Sequence, residues 1–316
     1  MEIYKTQASI ARKGNWLLSL IIILLVTFGV MAVLQGLALV LVPPLFEIPL
    51  DEFMATLSGQ GSNPNARMAL LFVQGLGAGL GFFVAALLVA KLIDKADLRW
   101  KQQVNRFRFS SFMVMIMVLL GGMIFNTLLI DWNANVQFPD FLSSLEEKMR
   151  AMEDSAMVLT KYITDFDSFA EFLMGILVIG VFAGLGEELL FRGVLQPKLH
   201  LYTGNAHVGV WLTAFIFSAI HFQFFGFFPR VLLGAVFGYL YLYSGSLIYP
   251  IIAHVLNNTV TVILVYMNKL GKVEFNIEET DEVSIPLALL GLLILLIGLR
   301  IFKEKNKTQI KNGELD

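Results

Sequence analysis

The sequence predicts an all-α membrane protein, a polytopic bundle of about eight transmembrane helices. Two observations predict this class. The 316 residues are 57% hydrophobic and only 15% charged, whereas ordinary soluble domains are about 25% charged. Apolar runs of about 18 residues or more, each long enough to cross a hydrocarbon core roughly 30 Å thick, recur along the chain. A soluble protein could not bury so many helices that are apolar on all sides, so the lipid bilayer is the predicted environment.

The predicted spans are runs of apolar residues separated by polar or charged loops. They are residues 16–42, 68–93, 111–131, 169–195, 208–222, 230–244, 247–267 and 285–302. The first run is too long for the hydrophobic region of a cleavable signal peptide. Pro43 and Pro44 are expected to end it, because proline removes a backbone donor and clashes with the preceding turn. The fifth and sixth spans are short and are expected to be tilted or partly re-entrant.

The distribution of charge between the loops predicts the orientation in the membrane. The basic segments are residues 1–14, 91–108 and 303–311, and the alternate segments, 47–52, 131–168 and 274–282, are acidic or nearly neutral. Cytoplasmic loops carry an excess of lysine and arginine. An even number of spans with both termini in the cytoplasm satisfies all of these biases, so a multi-pass membrane protein with both termini cytoplasmic is predicted.

One membrane domain covering residues 1–316 is the simplest organisation, because the sequence contains no internal repeat. Residues 132–168 form the longest segment between spans, and their spacing of apolar and charged residues is that of an amphipathic helix. This helix is expected either to lie on the outer membrane surface or to pack, solvated, against its neighbours. The tail, residues 303–316, is expected to be disordered.

Composition also restricts the partners and the chemistry. The formal net charge is −2, and the basic residues form only short loop clusters, which argues against nucleic acid as a partner. The chain contains no cysteine. Disulfides, thiolate metal ligands and a cysteine nucleophile are therefore excluded.

The fourth predicted span contains three charged residues, Glu187, Glu188 and Arg192. Each charge near the centre of a spanning helix costs roughly 2.5–3.5 kcal/mol on insertion scales, so unpaired they would cost on the order of 8–10 kcal/mol together. Glu188 and Arg192 are spaced i,i+4 and can form an intrahelical ion pair. Two adjacent carboxylates disfavour joint ionisation, which makes one of them a candidate general base. Charges that reach the headgroups from a helix end are the alternative interpretation.

Two further spans carry histidines. Phe217 and His221 are one helical turn apart in the fifth span, and His254 and Asn258 are one turn apart in the seventh. The members of each pair therefore share a helix face. A lone intramembrane histidine is more often a helix–helix hydrogen-bonding group than a catalyst, but here two such histidines accompany a glutamate and an asparagine.

These residue types suit amide hydrolysis. Glu187 beside a histidine can deprotonate a water, and a histidine and the Asn258 amide can donate hydrogen bonds to the developing oxyanion. The three helices are expected to bring these side chains to one cavity. The other two histidines, His200 and His207, lie in a polar break between spans and are expected to be interfacial and structural.

The three patterns are Glu187-Glu188-x-x-x-Arg192, Phe217-x-x-x-His221 and His254-x-x-x-Asn258. In this order and spacing they resemble the CPBP family of intramembrane proteases, which includes the type II CAAX prenyl endopeptidases. The resemblance covers residues 169–268, which would be the catalytic core. It implies a helical bundle with a membrane-embedded, water-accessible cavity that opens towards the cytoplasm. Glu188 and Arg192 would orient the helix and the substrate, and Phe217 would help to position the substrate.

By the same motifs Glu187 would activate the water with His221 as its partner, while His254 and Asn258 would form the oxyanion site. Whether a metal takes part is a separate question. Glu187, His221 and His254 could ligate zinc through oxygen and nitrogen. However, the chain has no His-Glu-x-x-His run and Asn258 is a poor zinc ligand, so a mechanism without metal is preferred.

Two other functions remain open at this stage. Intramembrane Glu and His also mark proton-coupled transporters, although the sequence lacks the two related halves that such proteins usually show. A noncatalytic bacteriocin-immunity or scaffold protein with the same fold is the second. For a protease, the substrate would be a peptide or protein at the membrane. A prenylated CAAX-type peptide, a bacteriocin-like peptide and another membrane protein fit equally well.

Overall fold

A computed structural model describes residues 5–6, 8–275 and 284–311, with side chains described for 8–275 and 284–307. Seven helices in these ranges are long and apolar enough to cross a membrane. The predicted all-α class is confirmed, and the protein is an integral, multi-pass membrane protein. The acidic residues expected in the last outer loop include Glu278, Glu279, Asp281 and Glu282, which lie outside the described residues.

The chain folds into helices joined by short loops. In chain order they are α1 (Trp16–Phe46), α2 (Leu50–Leu57), α3 (Ala66–Ile93), α4 (Trp100–Asn105), α5 (Phe109–Ala134), α6 (Ser143–Thr164), α7 (Phe169–Thr203), α8 (Ala206–Ala219), α9 (Phe227–Ser244), α10 (Ile248–Lys269) and α11 (Ile285–Lys311). Two short strands, β1 (Lys5–Thr6) and β2 (Ala96–Asp97), pair antiparallel. Single 3₁₀ turns occupy Ser9–Ala11, Lys13–Asn15 and Asp140–Leu142.

The spanning helix α7 is not a regular α-helix over its whole length. It contains π-helical turns at Ile176–Phe182 and at Phe191–Leu195, one on each side of the two adjacent glutamates. A π-helical turn disturbs the regular ladder of backbone hydrogen bonds and occurs frequently at functional sites. The glutamates therefore lie in a short, regular stretch of helix between two irregular ones.

The positions of the predicted spans agree with the helices, with two differences. Helix α1 runs through Pro43 and Pro44 and ends at Phe46, so the prediction that the proline pair stops it is wrong. The Pro43 carbonyl remains an acceptor and receives the N–H of Glu47, which ends the helix in the left-handed conformation with φ 53°. The fifth predicted span corresponds to α8, which is only 14 residues long and ends before His221.

The prediction of disorder from residue 303 onward is wrong for residues 303–311, which continue α11. Tertiary contacts hold this extension. Asn306 is fully buried, donates to the Phe302 carbonyl at 2.7 Å and accepts from Ser111 at 3.4 Å. The polar composition of residues 303–311 suggested disorder, but the buried Asn306 packs this segment against α5. Residues 312–316 lie outside the described part of the chain.

Helices α5 and α11 pack antiparallel, which defines the two ends of the bundle. A Cβ atom at Gly121 would lie 2.6 Å from the backbone nitrogen of Leu295, so the two helices approach closely. Ser111 near the start of α5 meets Asn306 near the end of α11. We call the opposite end, where α5 finishes and α6 begins, the distal end.

Candidate active site

The centre of the site is an ion pair on α7. Glu188 and Arg192 are both fully buried, and the Nη1 of Arg192 donates to Oε1 of Glu188 in the i,i+4 arrangement expected from the sequence. The neighbouring Glu187 has a side chain that is 13% exposed. The two adjacent carboxylates therefore have different environments, one neutralised by its cation inside the protein and the other with partial access to its surroundings.

Arg192 also fixes the position of α9. Its Nη2 donates to the carbonyl of Gly234 at 2.7 Å. The guanidinium lies between two aromatic rings, 5.0 Å from the centroid of Phe217 and 5.5 Å from that of Phe237. Because guanidinium groups are attracted to aromatic faces, this arrangement holds the cation between α8 and α9 and leaves it no route to the headgroups. The alternative in which the charges extend from the helix end to the membrane surface is wrong for Arg192 and Glu188.

His254 of α10 is oriented by the same carboxylate. Its Nδ1 lies 2.8 Å from Oε1 of Glu188, and its Nε2 lies 3.9 Å from Oε2 of Glu187. The ring of Phe237 stacks on the imidazole at a centroid distance of 4.9 Å. Since an ionised carboxylate only accepts hydrogen bonds, Nδ1 carries the proton and, in the neutral ring, Nε2 presents a lone pair towards Glu187.

His221 lies in the turn just after α8, close to the distal end. Its Nδ1 donates to the Phe217 carbonyl at 2.8 Å, since a carbonyl can only accept. The Phe217 ring is 5.2 Å from the His221 imidazole and 6.0 Å from that of His254, so it lies between the two histidines. Glu187 is within electrostatic range of His221.

Asn258 is placed differently from what the sequence led us to expect. Its Nδ2 donates to the carbonyl of Ile179 at 3.0 Å, and its Oδ1 accepts from Asn257 at 3.2 Å. Ile179 belongs to the first π-helical turn of α7. One hydrogen of the Asn258 amide thus joins α10 to the irregular part of α7, and only the second remains for an oxyanion.

Glycines allow α7 and α10 to come this close. A Cβ atom at Gly184 would lie 3.0 Å from the backbone nitrogen of Val255, the neighbour of His254. One at Gly180 would lie 2.5 Å from Oγ1 of Thr259. The small residues before the glutamate pair therefore bring the two backbones into contact.

His200 and His207 occupy the segment around the start of α8. His207 is exposed, and its Nδ1 lies 3.0 Å from the hydroxyl of Tyr239 on α9. His200 is half-buried near the end of α7, where its backbone carbonyl accepts the N–H of Gly204. The structural role expected for both histidines stays a prediction.

The zinc alternative does not fit the donor geometry. Within residues 8–275 and 284–307, no three His, Asp or Glu side chains lie close enough together to hold one metal ion. This includes the proposed set of Glu187, His221 and His254. A zinc ion normally takes at least three protein ligands, which this arrangement of side chains does not provide.

Three contributors to the site were missed by the sequence analysis. Phe237 stacks on His254, the Gly234 carbonyl binds Arg192, and the Ile179 carbonyl binds Asn258. Phe237 is one of 27 phenylalanines and carries no local signal. Gly234 had a usable signal, because it and Gly238 lie four residues apart on α9 and such spacing often marks a helix contact.

An apolar cavity of about 290 Å³ lies beside the site, between α1, α3, α7 and α8. Phe191 lines it, and its ring packs against Phe217 at 5.2 Å. Ile220, which immediately precedes His221, lines it as well. Leu24 and Phe28 of α1 form its outer wall and are 55% and 48% exposed, so the cavity borders the lipid-facing surface.

Comparisons with known proteins find a match in the same segment. Residues 169–260 match the family model described as type II CAAX prenyl endopeptidase Rce1-like. The chain is similar to the uncharacterized protein YpbD of Bacillus subtilis (strain 168), with 31% identity over 83 residues, which are 25% of this chain and 39% of that relative. This chain thus spans less than half the length of the curated relative. No solved structure matches. The predicted resemblance to the CPBP proteases is confirmed for residues 169–260, which are similar to the Rce1-like type II CAAX prenyl endopeptidases.

Proposed function

We propose that the protein is an intramembrane endopeptidase in which Glu187 and His254 activate a water. The observation that carries the proposal is the 3.9 Å separation between Oε2 of Glu187 and Nε2 of His254. This separation is too long for a direct hydrogen bond and suits two acceptors that share one water. Both acceptors draw hydrogens away from the same oxygen, which increases its nucleophilicity.

The roles of the charged residues follow from this arrangement. The water attacks the peptide carbonyl while one of its protons passes to Glu187. The leaving amine receives that proton from Glu187 through His221, so the carboxylate acts first as base and then as acid. Glu188 keeps His254 in the tautomer that presents Nε2, in the way that a third group orients the base in other hydrolases. Arg192 neutralises Glu188, and no metal is required.

His221 and Asn258 complete the proposal. His221, with Nδ1 held by the Phe217 carbonyl, presents an unprotonated Nε2 at the end of α8, which takes the proton from Glu187 and passes it on to the leaving amine. The second amide hydrogen of Asn258 is the candidate donor to the oxyanion. His254 is assigned to the water here, not to the oxyanion, because its protonated nitrogen already faces Glu188.

The apolar cavity supports a substrate that carries an apolar chain close to the scissile bond. It lies next to Phe217 and His221 and borders the lipid-facing surface, so a chain attached to the peptide could enter it from the membrane. Among the substrates considered, a prenylated CAAX-type peptide is therefore favoured over an unmodified one.

Two peptides of identical sequence ending in a Cys-aliphatic-aliphatic-X box, one S-farnesylated and one not, provide the test. Purified protein in lipid nanodiscs should cleave the farnesylated peptide, as followed by mass spectrometry. Glu187→Gln should reduce kcat about 100-fold or more, whereas His207→Gln should retain activity. Full activity of the Glu187→Gln protein would overturn the proposal.

The cavity has its own test. Leu24→Trp narrows it and should raise KM for the farnesylated peptide several-fold. Leu25→Trp is the matched control, because this neighbouring residue is 62% exposed and does not line the cavity. If both variants behave alike, the cavity does not bind the apolar chain.

A further inference from the structure

Side chains from three helices bind the loop that follows His221. Residues 222–226 join α8 to α9, and Phe222 adopts the left-handed conformation with φ 54° while its side chain points outward and is 69% exposed. A bulky residue in this conformation is strained and persists only where surrounding contacts impose it. The strained residue is the direct chain neighbour of His221.

Asn133, at the end of α5, holds the loop from one side. Its Nδ2 donates to the Phe224 carbonyl at 3.1 Å, and its Oδ1 accepts the N–H of Phe228 at 2.9 Å. Asn133 is fully buried. One side-chain amide therefore satisfies backbone groups on both sides of the bend and fixes its width.

Helix α6 holds the loop from a second side. Oε2 of Glu153 accepts the N–H of Phe225 at 3.2 Å. The guanidinium of Arg150, one turn earlier on α6, lies 4.0 Å from the centroid of the Phe225 ring and is itself paired with Glu146 at 2.7 Å. The helix that the sequence left without a role thus contacts the loop of a motif histidine through both the backbone and the side chain of Phe225.

Arg230, at the start of α9, binds the loop from a third helix. Its Nη2 donates to the Gln223 carbonyl at 2.6 Å and its Nη1 to the Gln223 side chain at 3.1 Å. Its charge also acts on His221 and on Glu153. Three side chains from three helices, Asn133, Glu153 and Arg230, therefore bind consecutive parts of one short loop; we call them the loop clamp.

We propose that the loop clamp positions His221 for proton transfer, so that the end of α5 and the helix α6 are working parts of the active site. Asn133 and Glu153 lie outside the segment that matches the Rce1-like family model, and this role is not contained in the family motifs. The proposal rests on the proteolytic function proposed above. The three residues are positioning residues, because they act on the reaction through His221.

The physical reason is the sensitivity of proton transfer to distance. A displacement of about 1 Å in a reacting group can reduce the rate about 100-fold. The Nδ1 bond of His221 to the Phe217 carbonyl fixes the ring within its own turn. The backbone N–H groups of His221 and Phe222 tie this turn to the end of α8 on one side, and the loop continues from it on the other. The clamp holds the loop side of the turn through its bonds to Gln223, Phe224 and Phe225.

Kinetics of variants on α6 provide the first test. Glu153→Ala should lower kcat for the farnesylated peptide about 10-fold or more at nearly unchanged KM. Glu153→Gln keeps an oxygen that accepts the Phe225 N–H and should restore most of the activity. Asp154→Ala is the matched control, because this exposed acidic neighbour bears no hydrogen bond to the loop among the described contacts. A kcat of Glu153→Ala within twofold of the wild type would contradict the proposal.

The second test does not depend on activity. The four histidines of the chain can be modified with diethylpyrocarbonate in nanodiscs and quantified individually by mass spectrometry. Glu153→Ala and Asn133→Leu should change the modification rate at His221 at least threefold and leave the exposed His207 unchanged, while the melting temperature shows that the variants are folded. Equal rates at His221 in all variants would overturn the clamp.

The two proposals fail separately. If the wild type cleaves neither peptide, the protease proposal fails, and the labelling rates still decide whether the clamp positions His221. If the wild type is active and Glu187→Gln is not, but the clamp variants match the wild type in kcat and labelling, only the clamp proposal fails.

Discussion

Oε1 of Glu188 accepts from His254 Nδ1 at 2.8 Å and from the guanidinium of Arg192. One oxygen atom thus serves a histidine on α10 and an arginine that reaches α9, and the whole group is withdrawn from lipid and water. The carboxylate that the sequence suggests as an accessory to Glu187 is the structural centre of the site.

Removing one charge of the Glu188–Arg192 pair should lower the stability of the folded protein more than removing both charges. Glu188→Leu leaves Arg192 buried without its carboxylate, and breaking a buried pair in this way costs about 3–5 kcal/mol. The double variant Glu188→Leu/Arg192→Met should recover much of that stability in thermal melts yet remain inactive, because His254 loses its orienting partner. Equal melting temperatures for the single and the double variant would show that the pair is not coupled.

A methyl group added at the contact between α7 and α10 should move His254 on α10 away from Glu188 on α7. Gly184→Ala places a carbon 2.8 Å from the Val255 side chain and 3.0 Å from its backbone nitrogen, and such overpacking costs about 1–3 kcal/mol. The resulting shift of His254 from Glu188 should lower kcat about 10-fold or more. Gly29→Ala is the matched control, because nothing lies within 4 Å of the added carbon in α1; the same kcat for both proteins would contradict the argument.

Asn258 should have both a structural and a kinetic effect. Asn258→Ala leaves the Ile179 carbonyl without its side-chain donor, which costs about 1–3 kcal/mol for a buried group. Loss of an oxyanion donor typically lowers kcat about 100-fold or more, with little effect on KM. Asn257→Ala removes only the donor to Asn258 Oδ1 and should retain most activity. A stability loss in Asn258→Ala without a fall in kcat would restrict this residue to helix packing.

Hydrolysis is expected to be independent of added metal. Among the residues that the structure describes, no three His, Asp or Glu side chains around Glu187 could hold one ion, and the proposed activation of water uses two protein acceptors. Protein purified and dialysed against chelator should retain its kcat, and added zinc should not increase it. Loss of activity in chelator that is reversed by zinc would replace the proposed mechanism with a metal-dependent one.

The ion pairs of Asp167 with Arg67 and Lys269 predict a small effect of pH on the stability of the folded protein. Hydrogen bonds from Lys269 and Arg67 hold the pKa of Asp167 down at about 2, below its ordinary value of 3.8. A lowered pKa stabilises the folded protein above pH 3.8, and this contribution is lost as the pH falls towards about 2. Because the Asp167 side chain is 69% exposed, the stabilisation should be below about 1 kcal/mol.

Asp167→Asn should therefore have a slightly lower melting temperature than the wild type at pH 6. This difference in melting temperature should disappear as the pH approaches 2. Glu147→Gln, at an exposed position on α6, should show no such difference at either pH. A deficit of Asp167→Asn that grows at low pH would show that another group is responsible.

The spans were predictable because each is an apolar run that only a bilayer can accommodate, and the Glu188–Arg192 pair was predictable because its spacing lies within one helix. Contacts between segments that are distant in the chain were harder to predict, because they leave little pattern in the sequence. The stacking of Phe237 on His254 depends on how α9 and α10 pack, and no pattern within α9 marks one phenylalanine among its aromatic neighbours.

Chain ends and helix ends were the least predictable. Whether residues 303–311 form helix depends on the burial of Asn306 against Ser111, which are far apart in sequence. The loop that follows α8 and His221 is bound by side chains of α5, α6 and α9. In each case the decisive interaction comes from elsewhere in the chain, so local composition gave the wrong or an incomplete answer.

The shortness of α8 has a consequence for water. At 14 residues, α8 is about 21 Å long, whereas the hydrocarbon layer is roughly 30 Å thick. Lipids beside a helix this short either thin locally or leave the polar turn at acyl-chain depth, where its amides have no solvent to bond. Side chains around that turn, such as Asn133 and Glu153, bond to its backbone groups in place of the missing solvent. A local depression of the bilayer would let bulk water reach the His221 imidazole without a channel through the protein.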